Sequence, residues 1–160
     1  MRISFDLDDT LILSDKEAKY ESPERSLLSR FYKEKLRMGI VKLYNELTSL
    51  GFEICVYTTS ERSVGYVKRL FSIYGLKPCL IVNLKVHQEI VQGKRKEIMP
   101  SKVPSRFGID LHVDDDNSVK QNGRQYGFNV VIVKKDDESW YEKVLDEAIR
   151  IKKLKECDKV

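Results

Sequence analysis

The chain has 160 residues, of which 41% are apolar and 34% charged, with a formal net charge of +4. That length suits one domain with a real core and leaves no room for a second full one. The composition is that of an ordinary globular protein, and no apolar stretch approaches the roughly 20 residues a membrane span needs.

Residues 3–7 read as a first strand that runs into Asp6-Leu7-Asp8-Asp9-Thr10. In an extended segment residues i and i+2 share a side, and the chain must turn after Asp6, so Asp6 and Asp8 can meet one reactive centre at the strand's mouth. Like charges that close need a cation or a shared proton. The bland alternative for this doublet is a helix N-cap. Arg2 is followed directly by this strand, so no signal peptide is expected.

Residues 14–37 are charged, interrupted by Pro23, and expected to turn helical from about Glu24. A clearer helix spans 38–50, ended by Gly51, and a second strand follows at 52–58. Residues 61–74 form the next predicted helix, with Thr59 and Ser60 as its expected caps and Gly75 and Pro78 as stop signals. A third strand covers 79–84. Then comes a basic stretch, 85–104, carrying Pro100 and Pro104. A fourth strand at 109–113, a weaker helix at 118–127, a fifth strand at 129–134 and a closing helix at 140–154 complete the chain. Short β-rich runs alternating with helices argue for βαβ units. The expected fold is α/β, a three-layer α/β/α sandwich with a mainly parallel Rossmann-like sheet, as one domain over residues 1–160.

Parallel strands end along one rim, where open α/β sheets keep their sites. There the first strand offers Asp6 and Asp8, the second Thr58, Thr59 and Ser60, and the fourth Asp114, Asp115 and Asp116. Asp6, Asp114 and the backbone carbonyl of Asp8 would suit a hard divalent cation beside water and a phosphate oxygen, which makes Mg²⁺ the natural metal. Between Gly65 and Arg106 nine basic residues face two acidic ones, a bias that suits a polyanionic substrate or nucleic acid. The bland reading of Lys94-Arg95-Lys96 is a solvated loop. His87 reads as an ordinary loop histidine, His112 as an interior histidine near the acidic cluster, Tyr57 and Trp140 as packing residues. Cys55, Cys79 and Cys157 are odd in number, and the first two lie in apolar runs where buried free thiols are usual, so a reducing cytosol is the expected compartment.

With these residues in view, the chain resembles the haloacid dehalogenase (HAD) superfamily from residue 1 to about residue 135. Phe5-Asp6-Leu7-Asp8-Asp9-Thr10 is similar to its first motif, Thr58 to the second, and Val113-Asp114-Asp115 to the acidic fourth. The resemblance implies Asp6 as nucleophile, Asp8 as general acid/base, Thr58 as phosphoryl binder and Asp6, Asp8, Asp114 and Asp115 as the metal site. Thr10 would support the loop or the substrate, with Thr59 beside it. For the motif III lysine, Lys85, Lys94, Lys96 and Lys102 compete, and the position of Lys102 just before Pro104 favours it. A Mg²⁺-dependent phosphatase follows as the expected activity.

Neither residues 14–37 nor the basic stretch is long enough for a separate cap domain with its own core. A capless or minimally capped member is implied, with residues 14–37 as a candidate small cap or lid and a phosphorylated, even macromolecular, substrate. A neighbouring subunit could supply the lid instead. Two rivals stay open. One is a phospho-acceptor module resembling response-regulator receivers, against which the order of acidic strands speaks; the other is a nucleic-acid-binding module on the same fold, which a salt-dependent shift would reveal.

Overall fold

Five short apolar segments pair side by side, all parallel, in the order β3-β2-β1-β4-β5. They are β1 (Arg2–Phe5), β2 (Glu53–Tyr57), β3 (Leu80–Val82), β4 (Leu111–Asp114) and β5 (Asn129–Ile132). The computed structural model describes residues 1–15, 18–24 and 29–157. Each strand is shorter than the apolar run that predicts it, because the terminal residues turn into caps and rim loops. Asn83, for instance, leaves the third strand and accepts from the backbone N–H of Val86, opening a helix instead.

Among the described residues five α-helices complete the alternation: α1 (Ile40–Ser49), α2 (Val64–Ile73), α3 (Leu84–His87), α4 (Asn117–Tyr126) and α5 (Trp140–Cys157). One face of the sheet presents Ile3, Phe5, Ile54, Val56, Leu111 and Val113 to Leu43 and Leu47 of α1, Leu70 of α2 and Val144 and Ala148 of α5 in the main core. The opposite face carries Cys55, Tyr57 and Val82 with Ile109, a smaller cluster joined by Val86 and Phe107. Helix α4 lies close on β5 because Gly123 has no side chain. A Cβ there would stand 2.7 Å from the carbonyl oxygen of Phe128, closer than carbon tolerates. The expected three-layer sandwich is therefore the observed one.

Several local expectations are corrected. Helix α2 starts at Val64 rather than at Glu61, and its cap is Ser63, whose Oγ accepts from the N–H of Tyr66, not Thr59 or Ser60. His87 is not a loop residue but a buried one at the end of α3. Cys79 is exposed, and only Cys55 of that pair is buried. The helix expected from about Glu24 falls largely on residues 25–28, outside the described ones.

The described end of the 14–37 segment is tied to the core through Leu36 and Tyr32. Tyr20 bridges Arg37, and Oε1 of Glu21 takes the N–H groups of Gly39 and Val41, capping α1 from a distance. Arg37 is buried, its guanidinium donating to the carbonyls of Thr10, Lys134 and Asp137 while lying 4.8 Å from the Trp140 ring. That one side chain ties the loop after β1 to the loop after β5. Among the described residues no helix is long and apolar enough to cross a membrane.

Candidate active site at the mouths of β1 and β4

The strand order reverses at β1, which has β2 on one side and β4 on the other, and the crevice at such a switch point is where an open α/β sheet binds ligands. The residues that follow β1 and end β4 meet there. The backbone N–H of Asp6 donates to the carbonyl of Val113 at 2.9 Å, carrying the parallel pairing one residue past the strand and placing Asp6 beside Asp114. The chain then turns at once: the N–H groups of Leu11 and Ile12 donate to the carbonyl of Leu7, and Asp9 takes a left-handed φ of 54°. Asp9 accepts from the backbone N–H and the hydroxyl of Ser14, which holds that turn. No helix begins here, so the capping alternative for the Asp6/Asp8 doublet fails.

Lys102 enters from the loop before Pro104. Its ammonium lies 2.8 Å from Oδ1 of Asp6 and 2.5 Å from Oδ2 of Asp114, with both carboxylates and the lysine itself buried. Lys85, Lys94 and Lys96 are exposed. The structure thus brings one of the four competing lysines into the acidic cluster. Asp114 also accepts from Nε2 of His112 at 2.9 Å and from the N–H of Asp116 at 2.9 Å. His112 in turn meets the Ser4 hydroxyl through Nδ1 at 2.7 Å, so a fully buried chain of polar groups runs from β1 to the rim.

These contacts set the electrostatics. Burial pushes the Asp6 carboxyl up to about 6, a rise that Lys102 opposes and the negative charge of Asp114 reinforces. Burial acts on Asp114 in the same sense, but its bond from His112 and the charge of Lys102 outweigh it and hold that carboxyl well below the usual range. Burial also lowers His112, which keeps the imidazole neutral. Asp115, half-buried, is raised by burial and by Asp114, and the Thr10 hydroxyl reaches it at 3.5 Å.

One oxygen each from Asp6, Asp114 and Asp115 can be drawn from within 4.8 Å of one another. Three carboxylates there face one ammonium, and Oδ1 of Asp6 is buried with no hydrogen bond directed at it, its Lys102 contact being an ion pair only. A surplus of negative charge and an all-oxygen donor set are what a hard divalent cation matches. The residues therefore fit such an ion.

Other predicted residues lie differently. The Asp8 carboxylate does not share the Asp6 centre. It is half exposed and held by Arg62 in a two-pronged pair, Nη1 at 2.8 Å and Nη2 at 2.7 Å. Glu34, from the 14–37 segment, grips the same guanidinium at 2.6 Å and accepts from the Tyr66 hydroxyl at 2.8 Å. Thr58 is buried at the end of β2, its N–H on the carbonyl of Val82 and its Oγ1 accepting from the N–H of Ser60. Thr59 is exposed on the rim beyond it.

Sequence reasoning missed Arg62, Glu34 and the Tyr57 network. Tyr57 is more than packing: its buried hydroxyl accepts from the N–H of Val103 at 3.0 Å and pairs with Nδ1 of His87 at 2.6 Å. The residue it anchors is the neighbour of Lys102. The only available signal was position, since Tyr57 and Arg62 both flank the polar end of β2.

No protein-family model matches the chain, and no curated protein matches its sequence. Its neighbours in structure are HAD-superfamily hydrolases. One, a subfamily IA hydrolase from Geobacter sulfurreducens PCA, is 15% identical, with 82% of this chain and 85% of that one covered at a TM-score of 0.48. Another, a predicted HAD-like family hydrolase from Porphyromonas gingivalis, is 14% identical, with 86% and 93% covered at a TM-score of 0.44.

Proposed function

We propose that the chain is a Mg²⁺-dependent phosphatase that works through a phosphorylated Asp6. The observation that carries this reading is the buried contact of Asp6, Lys102 and Asp114 at the switch point of the sheet. A carboxylate is a weak nucleophile in water, but a desolvated one, aimed by fixed neighbours, can take a phosphoryl group and split one displacement into two easier ones. Oδ of Asp6 would bond to phosphorus as the ester oxygen leaves, and water would then cleave the acyl phosphate to free Asp6 and phosphate.

Lys102 would neutralise charge on the transferring phosphoryl group, and Thr58 and Thr10 would supply hydroxyls at the rim. Asp8 would protonate the leaving oxygen and later take a proton from the attacking water. Its carboxylate is half exposed, so the substrate can reach it while Arg62, shared with Glu34, holds it at the mouth. Mg²⁺ would be held by Asp6, Asp114, Asp115 and the backbone carbonyl of Asp8, and when bound supplies positive charge to the phosphoryl oxygens.

Among its described residues the short 14–37 segment reaches the mouth through Glu34 on Arg62, Ser14 on Asp9 and Arg37 on the carbonyl of Thr10, and its shortness favours an open site and a phosphoryl group on a large molecule. Exposed Lys94, Arg95 and Lys96 favour a polyanionic one. The test is a phosphatase screen over an aryl phosphate, sugar phosphates, nucleotides, phosphopeptides and end-phosphorylated oligonucleotides, each with Mg²⁺ and with a chelator. Hydrolysis in the Mg²⁺ arm alone is expected. No hydrolysis of any substrate, or hydrolysis indifferent to the chelator, would overturn the reading.

A further inference from the structure

On the face of the sheet that also carries Tyr57, but at the N-terminal end of the edge strand and so away from the rim, a second pair of reactive groups has no part in the chemistry above. Cys55 lies within β2, and Cys79 immediately precedes β3, the edge strand beside it. In the register of these strands Cys55 stands opposite Leu80, and the N–H of Cys79 donates to the carbonyl of Ile54 at 2.8 Å, so Cys79 sits on the neighbouring strand one residue out of register from Cys55. Their sulfurs are 3.3 Å apart. A disulfide bond is about 2.05 Å long, so closing the gap takes a movement of only about 1 Å, within reach of side-chain rotation.

We propose that Cys55 and Cys79 form a reversible disulfide, a modification site that takes a hydroperoxide, or a small disulfide, as its oxidant. The two thiols have unlike surroundings, which divides the labour between them. Cys79 is exposed and open to an oxidant from solvent, whereas Cys55 is buried and reachable only by its neighbour. Burial raises the Cys55 thiol far above its ordinary value, so it does not react first. The Arg2 guanidinium lies within electrostatic reach of the Cys55 sulfur and opposes part of that rise.

With a hydroperoxide, the Cys79 thiol is oxidised to a sulfenic acid as the O–O bond breaks and the alcohol leaves. The Cys55 sulfur then attacks the Cys79 sulfur, the new S–S bond forms, and the hydroxyl departs with the Cys55 proton as water. Two electrons leave the pair and reduce the peroxide. With a small disulfide, the same two electrons yield two small thiols. The bond closes a loop over residues 56–78, which holds α2, and fastens the edge strand to β2. Cys157 has no partner in this scheme.

The probe is hydrogen peroxide added to the reduced folded protein, followed by unfolding in denaturant, alkylation and peptide mapping under non-reducing conditions. The expected result is a mass loss of about 2 Da, one alkylated cysteine at Cys157, and a peptide linking Cys55 to Cys79, all reversed by a dithiol. Cys157→Ser keeps the link, and Cys79→Ser, at an exposed position that the fold does not depend on, loses it. Three alkylated cysteines after peroxide, or a link made through Cys157, would overturn the proposal. Neither outcome bears on the phosphatase reading, since the assay follows sulfur alone.

Discussion

The ammonium of Lys102 lies 2.8 Å from Oδ1 of Asp6, and that carboxylate oxygen receives no hydrogen bond from anywhere among the described residues. The charge of Lys102 is the largest influence that offsets the burial of the candidate nucleophile. The lysine also serves Asp114, so one side chain offsets two buried carboxylates.

Lys102→Met should therefore do more harm than a surface change. It keeps the volume of the stem but leaves two buried carboxylates without their cation. Breaking a buried ion pair on one side costs about 3–5 kcal/mol. Urea unfolding at pH 7 without metal should show a loss of that order, shrinking at pH 5 where Asp6 can take a proton. A loss under about 1 kcal/mol, the range of surface pairs, would contradict the buried geometry.

Tyr57→Phe removes one oxygen from the network behind Lys102. The N–H of Val103 and Nδ1 of His87 then lose their partner inside the protein. An unsatisfied buried polar group costs about 1–3 kcal/mol, so a fall of that size in stability is expected. If the network holds Lys102 in place, turnover on an aryl phosphate should fall at least about tenfold, one decade corresponding to roughly 1.4 kcal/mol in the barrier. Unchanged turnover would separate Tyr57 from the site.

Asp6→Asn should gain stability relative to the parent as pH rises. The Asp6 carboxyl is raised to about 6 in the folded protein, chiefly by burial, from an ordinary value of 3.8. Between those values the folded state holds a proton that the unfolded state has lost, so this group's contribution falls as pH climbs from about 4 to 6 and is level above. The asparagine variant pays no such cost. Without metal, the stability difference between the two proteins should shift in the variant's favour by about 3 kcal/mol across that window. Comparing the pair cancels the histidines, whose lowered values act in the opposite sense as pH falls. A difference that stays flat would contradict the burial of Asp6.

Much of this was legible because periodicity and punctuation agree. The alternation of apolar runs with helices ended by Gly51 and Gly75 carried the sheet, and the acidic ends of the first and fourth strands carried the cluster. Lys102 was legible as a candidate by its place before Pro104, but choosing it over Lys85, Lys94 and Lys96 needed the three-dimensional route of the loop. Arg62 and Glu34 were not legible at all: they meet across the interval between two elements, and no local pattern encodes that meeting. Cys79 was misread because a strand-like run hid that its first residue faces solvent. Tyr57 is the packing residue the sequence suggested, but its hydroxyl's partners at His87 and Val103 carry no local signature.

The central claim is that Asp6 carries the chemistry, and Asp6→Asn tests it most directly. The exchange keeps the shape of the side chain and removes its nucleophilic charge. Turnover of an aryl phosphate with Mg²⁺ should vanish in the variant while its circular dichroism matches that of the parent and its unfolding stays cooperative. A folded Asp6→Asn protein that turns over substrate at the parent's rate would contradict the account.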